Sequence, residues 1–203
     1  MKGFFFTSIL LFYCQICNGQ NADINLLREI NVERNKNLDG GFEFLSNTTF
    51  YVVVGAPAII TATGLILKDK PTIKKGLLTG SSIVVNELLT LSLKYTIHRT
   101  RPYKTYPDID NQAEESDASF PSGHTSNSFA LATSLTMDFP KWYVIVPSYL
   151  WAGSVGYSRL HLGVHYPTDV LAGALIGSGS AILCRFVNKR FLNRVKKIDY
   201  PSE

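Results

Sequence analysis

Three clusters of residues have the types and spacing needed for chemistry on a phosphate group. The first is Lys94 followed, after six residues, by Arg101 and Pro102. The second is the run Pro121, Ser122, Gly123, His124. The third is Ser158 and Arg159, then five residues, His165, three more residues and Asp169. Lys94, Arg101 and Arg159 offer fixed positive charge; a guanidinium fork matches a pair of phosphate oxygens, and an ammonium acts as a point charge. Ser122 and Gly123 fall where a loop enters a helix, and backbone N–H groups at such a place are unpaired and face an anion. Gly123, lacking a Cβ, lets the backbone come close to it. Together these residues describe a cradle for a tetrahedral anion.

Two histidines give the cradle reactivity. Asp169 opens an apolar segment, and a carboxylate in the first turn of a helix stays ionised. It can accept the Nδ1 proton of His165 and leave Nε2 free to attack phosphorus. His124 then protonates the departing oxygen and later activates a water. Each element alone is commonplace: single cations at a membrane edge are usually solvated, and a short Pro-Ser-Gly-His run is usually just a helix start. Their order and spacing on one face are what coincidence does not supply.

The elements that must position these clusters are apolar. The chain has 203 residues, 45% of them hydrophobic, with a formal net charge of +4. That is enough for one domain. Nothing in it resembles a nucleic-acid-binding motif, so no nucleic-acid partner is expected. The first residues, Met-Lys and then an apolar run to Tyr13, read as a signal peptide cut after Gly19, with an uncleaved anchor as the alternative. Residues 20–49 mix Leu26, Leu27, Ile30 and Val32 with Arg28, Glu29, Glu33 and Arg34. They read as a short amphipathic helix, lying either on the membrane surface or on the domain's own core, and a connector.

Five apolar segments follow, at 50–67, 77–93, 125–139, 142–157 and 168–187. The first is uncharged and would reach about 27 Å as a helix, against a hydrocarbon core of about 30 Å. Gly173, Gly177 and Gly179 in the last would permit close helix contact. Lys68, Lys70, Lys74, Lys75, Lys141 and the basic tail of residues 188–203 fall on one side of a five-span threading. The positive-inside rule makes that side cytoplasmic, and all three clusters then face outward. The acidic loop 108–117 is expected to be a solvated lid, and Tyr103, Tyr106 and Tyr166 to be interface anchors. His98 and Arg99 read as interfacial, His161 as a packing or interfacial residue, and Glu87 as an acid buried against another helix.

The clusters resemble the type-2 phosphatidic acid phosphatase superfamily, whose signature is K-x6-RP, then PSGH, then SR-x5-H-x3-D. All three motifs match without substitution. The resemblance, spanning residues 38 to 187, implies an all-α six-helix bundle of the acid phosphatase/haloperoxidase type. About five of its helices would be transmembrane, beside a short N-terminal interfacial helix. It implies a phosphohistidine mechanism without metal or other cofactor. Lys94, Arg101, Ser122, Gly123 and Arg159 would bind the phosphoryl group, His165 would be the nucleophile, His124 the acid/base and Asp169 the orienting partner. The expected substrate is a phosphorylated lipid: undecaprenyl diphosphate, phosphatidylglycerol phosphate, phosphatidic acid or lipid A. The expected place is a bacterial inner membrane, with membrane lipids around it and the site facing the periplasm. Two other members of that superfamily share the motifs: a soluble periplasmic acid phosphatase, and a vanadium-dependent haloperoxidase, which is normally much longer.

Overall fold

The structure, a computed structural model, describes residues 21–199, with side chains to residue 190. The signal peptide expected at residues 1–19 and the end of the tail lie outside the described residues. An N-terminal helix α1 (residues 21–31) leads through a 3-10 turn (Lys36–Leu38) into α2 (Asp39–Ile66). Then come α3 (Lys70–Ile97), the single turn α4 (Pro102–Thr105), α5 (Gly123–Asp138), α6 (Trp142–His161) and α7 (Pro167–Asp199). No strand occurs among the described residues.

Local chemistry sets these boundaries. Pro71, Pro102 and Pro167 sit in the first turns of α3, α4 and α7, where the missing N–H costs nothing. His98 ends α3 in the left-handed conformation, φ 49°, which accounts for its exposed position as a cap. The apolar pattern puts the start of the first span at residue 50, yet α2 begins at Asp39. The polar stretch 39–49 looks like a connector, but it continues the same helix beyond the apolar run. Likewise α7 runs through the basic tail as far as Asp199.

The bundle is built inside out relative to a soluble protein. Large apolar side chains point outward: Phe50, Ile59 and Ile66 on α2, Leu77 and Leu88 on α3, and Leu171 and Leu175 on α7 are each more than half exposed. The helix contacts instead bury small polar residues, among them Thr79, Ser82, Asn86 and Thr90 of α3 and Ser126, Ser128, Thr133 and Ser134 of α5. An exposed apolar belt of this extent requires lipid or a partner, and small polar interfaces are the usual packing in membrane bundles. Among the described residues, three stretches (Lys36–Ile66, Lys70–Thr105 and Pro167–Arg190) are long and apolar enough to cross a membrane. The 16-residue α5 is wrapped by α3, α6 and α7, so it needs no apolar outer face.

Gly177 shows how tightly α7 lies on α5: a Cβ there would run into the backbone of Ser126 and Ala130. Gly173 has the same role a turn earlier, where a Cβ would sit 2.7 Å from the Ser122 carbonyl. Gly179 faces open space. The close α5–α7 approach holds His124 and Asp169 in fixed register at one end of the bundle.

Of the two readings for the N-terminal helix, the contacts show the one packed on the domain. Ile24 and Leu27 of α1 are buried with Ile109, Leu160 and Tyr166. Asn31 clamps this cap: its Nδ2 donates to the carbonyls of Asp110 (3.0 Å) and His161 (2.8 Å), and its Oδ1 accepts from the Asp110 N–H. Gly163, at φ +73°, makes the α6–α7 turn under this clamp, and a Cβ there would meet the Asp110 carbonyl at 2.8 Å. Tyr166, expected as an interface anchor, is 6% exposed and belongs to this core.

Candidate active site

One cavity, of about 210 Å³, opens at the end of the bundle where α2, α3, α5 and the α6–α7 turn meet. Lys94, Arg101, Gly123, His124 and His165 all line it. Lys94 comes from the last turn of α3, Arg101 from the residue before α4, His124 from the first turn of α5, and His165 from the α6–α7 turn. A Cβ on Gly123 would meet nothing within 4 Å. As the first residues of α5, Gly123 and His124 present N–H groups without helical acceptors.

Arg159 and Ser122 sit behind the lining. The Arg159 guanidinium donates to Ser46 Oγ and to Glu115, and its Nε is buried with no acceptor in the structure. A buried donor left over in this way suits a site that takes an oxyanion. Ser122 is the N-cap residue of α5, but its hydroxyl meets Thr125 Oγ1 at 2.9 Å and its N–H donates to the Asp169 carbonyl.

The His165 ring is oriented from both sides. Arg101 Nη1 lies 3.2 Å from Nε2. A guanidinium can only donate, so Nε2 is the unprotonated nitrogen and Nδ1 carries the hydrogen. Nδ1 is 3.5 Å from Asp169 Oδ2 and 3.5 Å from Ser119 Oγ, and Ser119 itself donates to Asp169 Oδ2 at 2.5 Å. At 3.5 Å the His165–Asp169 contact is too long for a tight hydrogen bond. Burial pushes the His165 ring down to about 3; the Asp169 carboxylate opposes this and Arg101 adds to it. The ring is therefore neutral at ordinary pH, the form a nitrogen nucleophile requires.

Sequence reasoning missed a layer beneath Asp169. Arg99 Nη1 donates to Asp169 Oδ1 (2.6 Å) and Thr168 Oγ1 (2.7 Å), while its Nη2 donates to Asp23 Oδ2 (2.7 Å). Asp23, 5% exposed on α1, also accepts from the Thr168 N–H and hydroxyl. The Arg99 guanidinium lies 3.9 Å over the Tyr166 ring. Arg99 is thus tied into the interior rather than solvated. The only sequence signal was a second arginine in the variable stretch of the first motif; nothing local links residue 23 to residue 99.

The acidic loop departs from the expected solvated lid. Asp108 pairs with Arg28, and Asp110 with Arg34 and Lys36. Asp117 pairs with Lys94 (2.9 Å) and Arg101 (2.5 Å), and Glu115 with Arg159 and, at 3.6 Å, with Arg101. Burial raises the Asp117 carboxyl, but Lys94 and Arg101 outweigh that and hold it below its usual range. Of the packing and interfacial readings for His161 the structure shows packing: it is bonded to Asp39 at 2.7 Å and its ring lies tilted against Phe42. Glu87 also lines the cavity.

Comparisons with known proteins give the family. The family model of the PAP2 superfamily matches residues 75–192. An undecaprenyl-diphosphatase of Sulfolobus acidocaldarius is 33% identical over 195 residues, covering 94% of this chain and 91% of that protein. The crystal structure of Aquifex aeolicus LpxE superposes with a TM-score of 0.70 at 30% identity, covering 80% of this chain and 94% of that one. A transmembrane PAP2-type phosphatidylglycerolphosphate phosphatase of Bacillus subtilis superposes with a TM-score of 0.72 at 26% identity, covering 91% and 96%. With the family model matching more than half of its length, the chain belongs to the PAP2 superfamily.

Proposed function

We propose that the protein is an integral-membrane phosphatase that hydrolyses a lipid phosphate through a phosphohistidine on His165. The observation that carries this reading is the His165 ring itself: its Nε2 lone pair faces Arg101 in the cavity that His124 also lines. The named relatives act on lipid phosphates, and the outward-facing apolar belt supports a site at a membrane.

The phosphoryl group binds among Lys94, Arg101, Arg159 and the first N–H groups of α5, with Ser122 fixing the start of that helix. Its oxygens take over the cations now paired with Glu115 and Asp117, and the orphaned Arg159 Nε gains an acceptor. His165 Nε2 attacks phosphorus, the bond from phosphorus to the lipid oxygen breaks, and His124 donates its proton to that oxygen. The negative charge of the phosphoryl group favours the protonated form of His124. The His165 ring becomes cationic and is stabilised through Nδ1 by Asp169. Water then attacks phosphorus, gives its proton to His124, and inorganic phosphate leaves as the P–N bond breaks. Arg99 and Asp23 act as positioning residues that hold Asp169 still. The lysine-rich end of the bundle faces the cytoplasm and the cavity faces the periplasm of a bacterial inner membrane.

The test is rapid labelling of the purified protein in detergent with a ³²P-labelled lipid phosphate, quenched with alkaline SDS. Wild type yields an acid-labile, base-stable phosphoenzyme, and His165→Ala yields neither the label nor phosphate release. Substantial turnover by His165→Ala would assign the nucleophile elsewhere.

A further inference from the structure

The catalytic cavity extends from the phosphate cradle along the α2–α3 side of the bundle, and that side carries an acid that the hydrolysis steps do not use. Glu87 lies seven residues before Lys94 on α3, about 10 Å further from the cavity mouth along the helix. Across from it is Asn127, one turn beyond His124 on α5 and lining the same cavity. Asn127 Nδ2 donates to Glu87 Oε2 at 2.7 Å, and Asn127 Oδ1 accepts from Asn86 Nδ2, also at 2.7 Å. Asn86 is fully buried and also reaches Ser126 Oγ at 3.1 Å. The amide of Asn127 is thereby held in one orientation, and it holds Glu87 against the cavity. Phe50 and Val53 of α2 and Leu91 of α3 form the apolar portion of this side, and the exposed Phe50 ring places it at the outer apolar face of the bundle.

In the proposed hydrolysis the leaving oxygen is the atom that His124 protonates, and the next few atoms of the leaving group would then lie between His124 and Asn127, about 4.5 Å apart along α5. A carboxylate there is acceptor-only, with two oxygens and further lone pairs beyond the one used by Asn127. In a low-dielectric setting it favours a hydrogen-bond donor on the substrate and disfavours a second phosphate, which offers only acceptors and like charge. An acid among membrane helices is expensive and is kept where it meets a partner. Asn127 supplies one hydrogen bond and leaves the other carboxyl oxygen to the cavity.

We propose that Glu87, oriented by Asn127, is a specificity-determining residue that binds a hydroxyl or amino group on the leaving side of the substrate. The substrate class is then a lipid phosphate monoester of a sugar or polyol, not a prenyl diphosphate. This inference rests on the lipid phosphatase reading.

The experiment measures kcat/KM for phosphate release by the full-length protein in detergent on three probes: a lipid-linked glucosamine phosphate, phosphatidylglycerol phosphate and undecaprenyl diphosphate. Wild type is expected to favour one of the two hydroxylated monoesters over the diphosphate by at least about tenfold, the scale of one well-placed polar contact. Glu87→Gln keeps the side-chain shape and adds a donor; it should shift that ratio about tenfold toward the diphosphate. Glu87→Leu should lower kcat/KM on the preferred monoester by a similar or larger factor. A wild-type preference for the diphosphate overturns the proposal without any variant, and so does a ratio left unchanged by Glu87→Gln. Absence of turnover on all three probes overturns the phosphatase reading and the subsite with it; good turnover with the reverse preference overturns the subsite alone.

Discussion

At the cavity end of the bundle Lys94, Arg101 and Arg159 are 7%, 1% and 1% exposed, whereas at the opposite end Lys68, Lys70, Lys74 and Lys141 all reach solvent. Both ends carry several cations, but only one end takes them out of water. Burying a cation costs several kcal/mol unless it is paired, so the cavity end must supply anions. One loop does this, with Glu115 and Asp117 reaching all three cations. The opposite end needs no such arrangement. Among the described residues its partly buried Arg185 alone has a carboxylate partner there, Asp138, which also accepts from Thr79. The lesson is that charge count does not distinguish a binding site from an orientation signal, but burial does. Cations held dry are held for an anion.

The sharpest way to break this contrast is to keep the charge at the buried end and change its shape. Arg159→Lys retains the cation but removes the fork that spans Ser46 and Glu115, and it removes the unpaired Nε. Phosphate release is expected to fall about 10²-fold, the effect of losing one preorganised donor at a reacting oxyanion. Turnover close to wild type, measured at saturating lipid phosphate, would show that Arg159 only neutralises loop charge.

This contrast was half legible in the sequence. The three motifs and their shared face follow from spacing and from the alternation of apolar segments with Lys/Arg turns, and the all-α six-helix bundle from the resemblance those motifs carry. What no local pattern reveals is which polar residues meet across the fold. Asp23 and Arg99 are 76 residues apart, yet they meet at 2.7 Å. Glu115 and Asp117 look like loop charges until the fold swings them onto Lys94, Arg101 and Arg159. The start of α2 at Asp39 was hidden for a related reason. Residues 39–49 stand clear of the apolar run, and their helix is held by tertiary partners: Asp39 by Arg34 and His161, and Ser46 by Arg159.

A smaller effect tests the layer behind the cradle. Asp23→Asn removes the negative charge that shares Arg99 with Asp169, while leaving every phosphate contact in place. The Arg99 guanidinium then turns wholly to Asp169 and weakens that carboxylate's hold on His165 Nδ1. The expected result is a kcat about tenfold lower, with KM within about twofold of wild type, in line with the loss of a neighbour that orients a ligand or base. A purely structural role for α1 would instead lower thermal stability and raise KM along with it. Arg99→Lys, which keeps one charge but cannot bridge Asp23 and Asp169, should reproduce the same kcat-selective loss.

The smallest expected effect lies at the other end. Lys74→Ser combined with Lys141→Ser removes two cations that make no ion pair among the described residues. Solvated charges contribute little to stability, and these two lie a bundle length from the cavity. In detergent, kcat and KM should both stay within about twofold of wild type, and the unfolding midpoint should barely move. In cells, the proposed orientation with this end in the cytoplasm predicts that the fraction of chains with the cavity facing outward falls in this variant when read by cysteine labelling from outside. Loss of turnover in detergent would mean that this end communicates with the cavity through the bundle, and the division between a dry, functional end and a wet, orienting end would no longer hold.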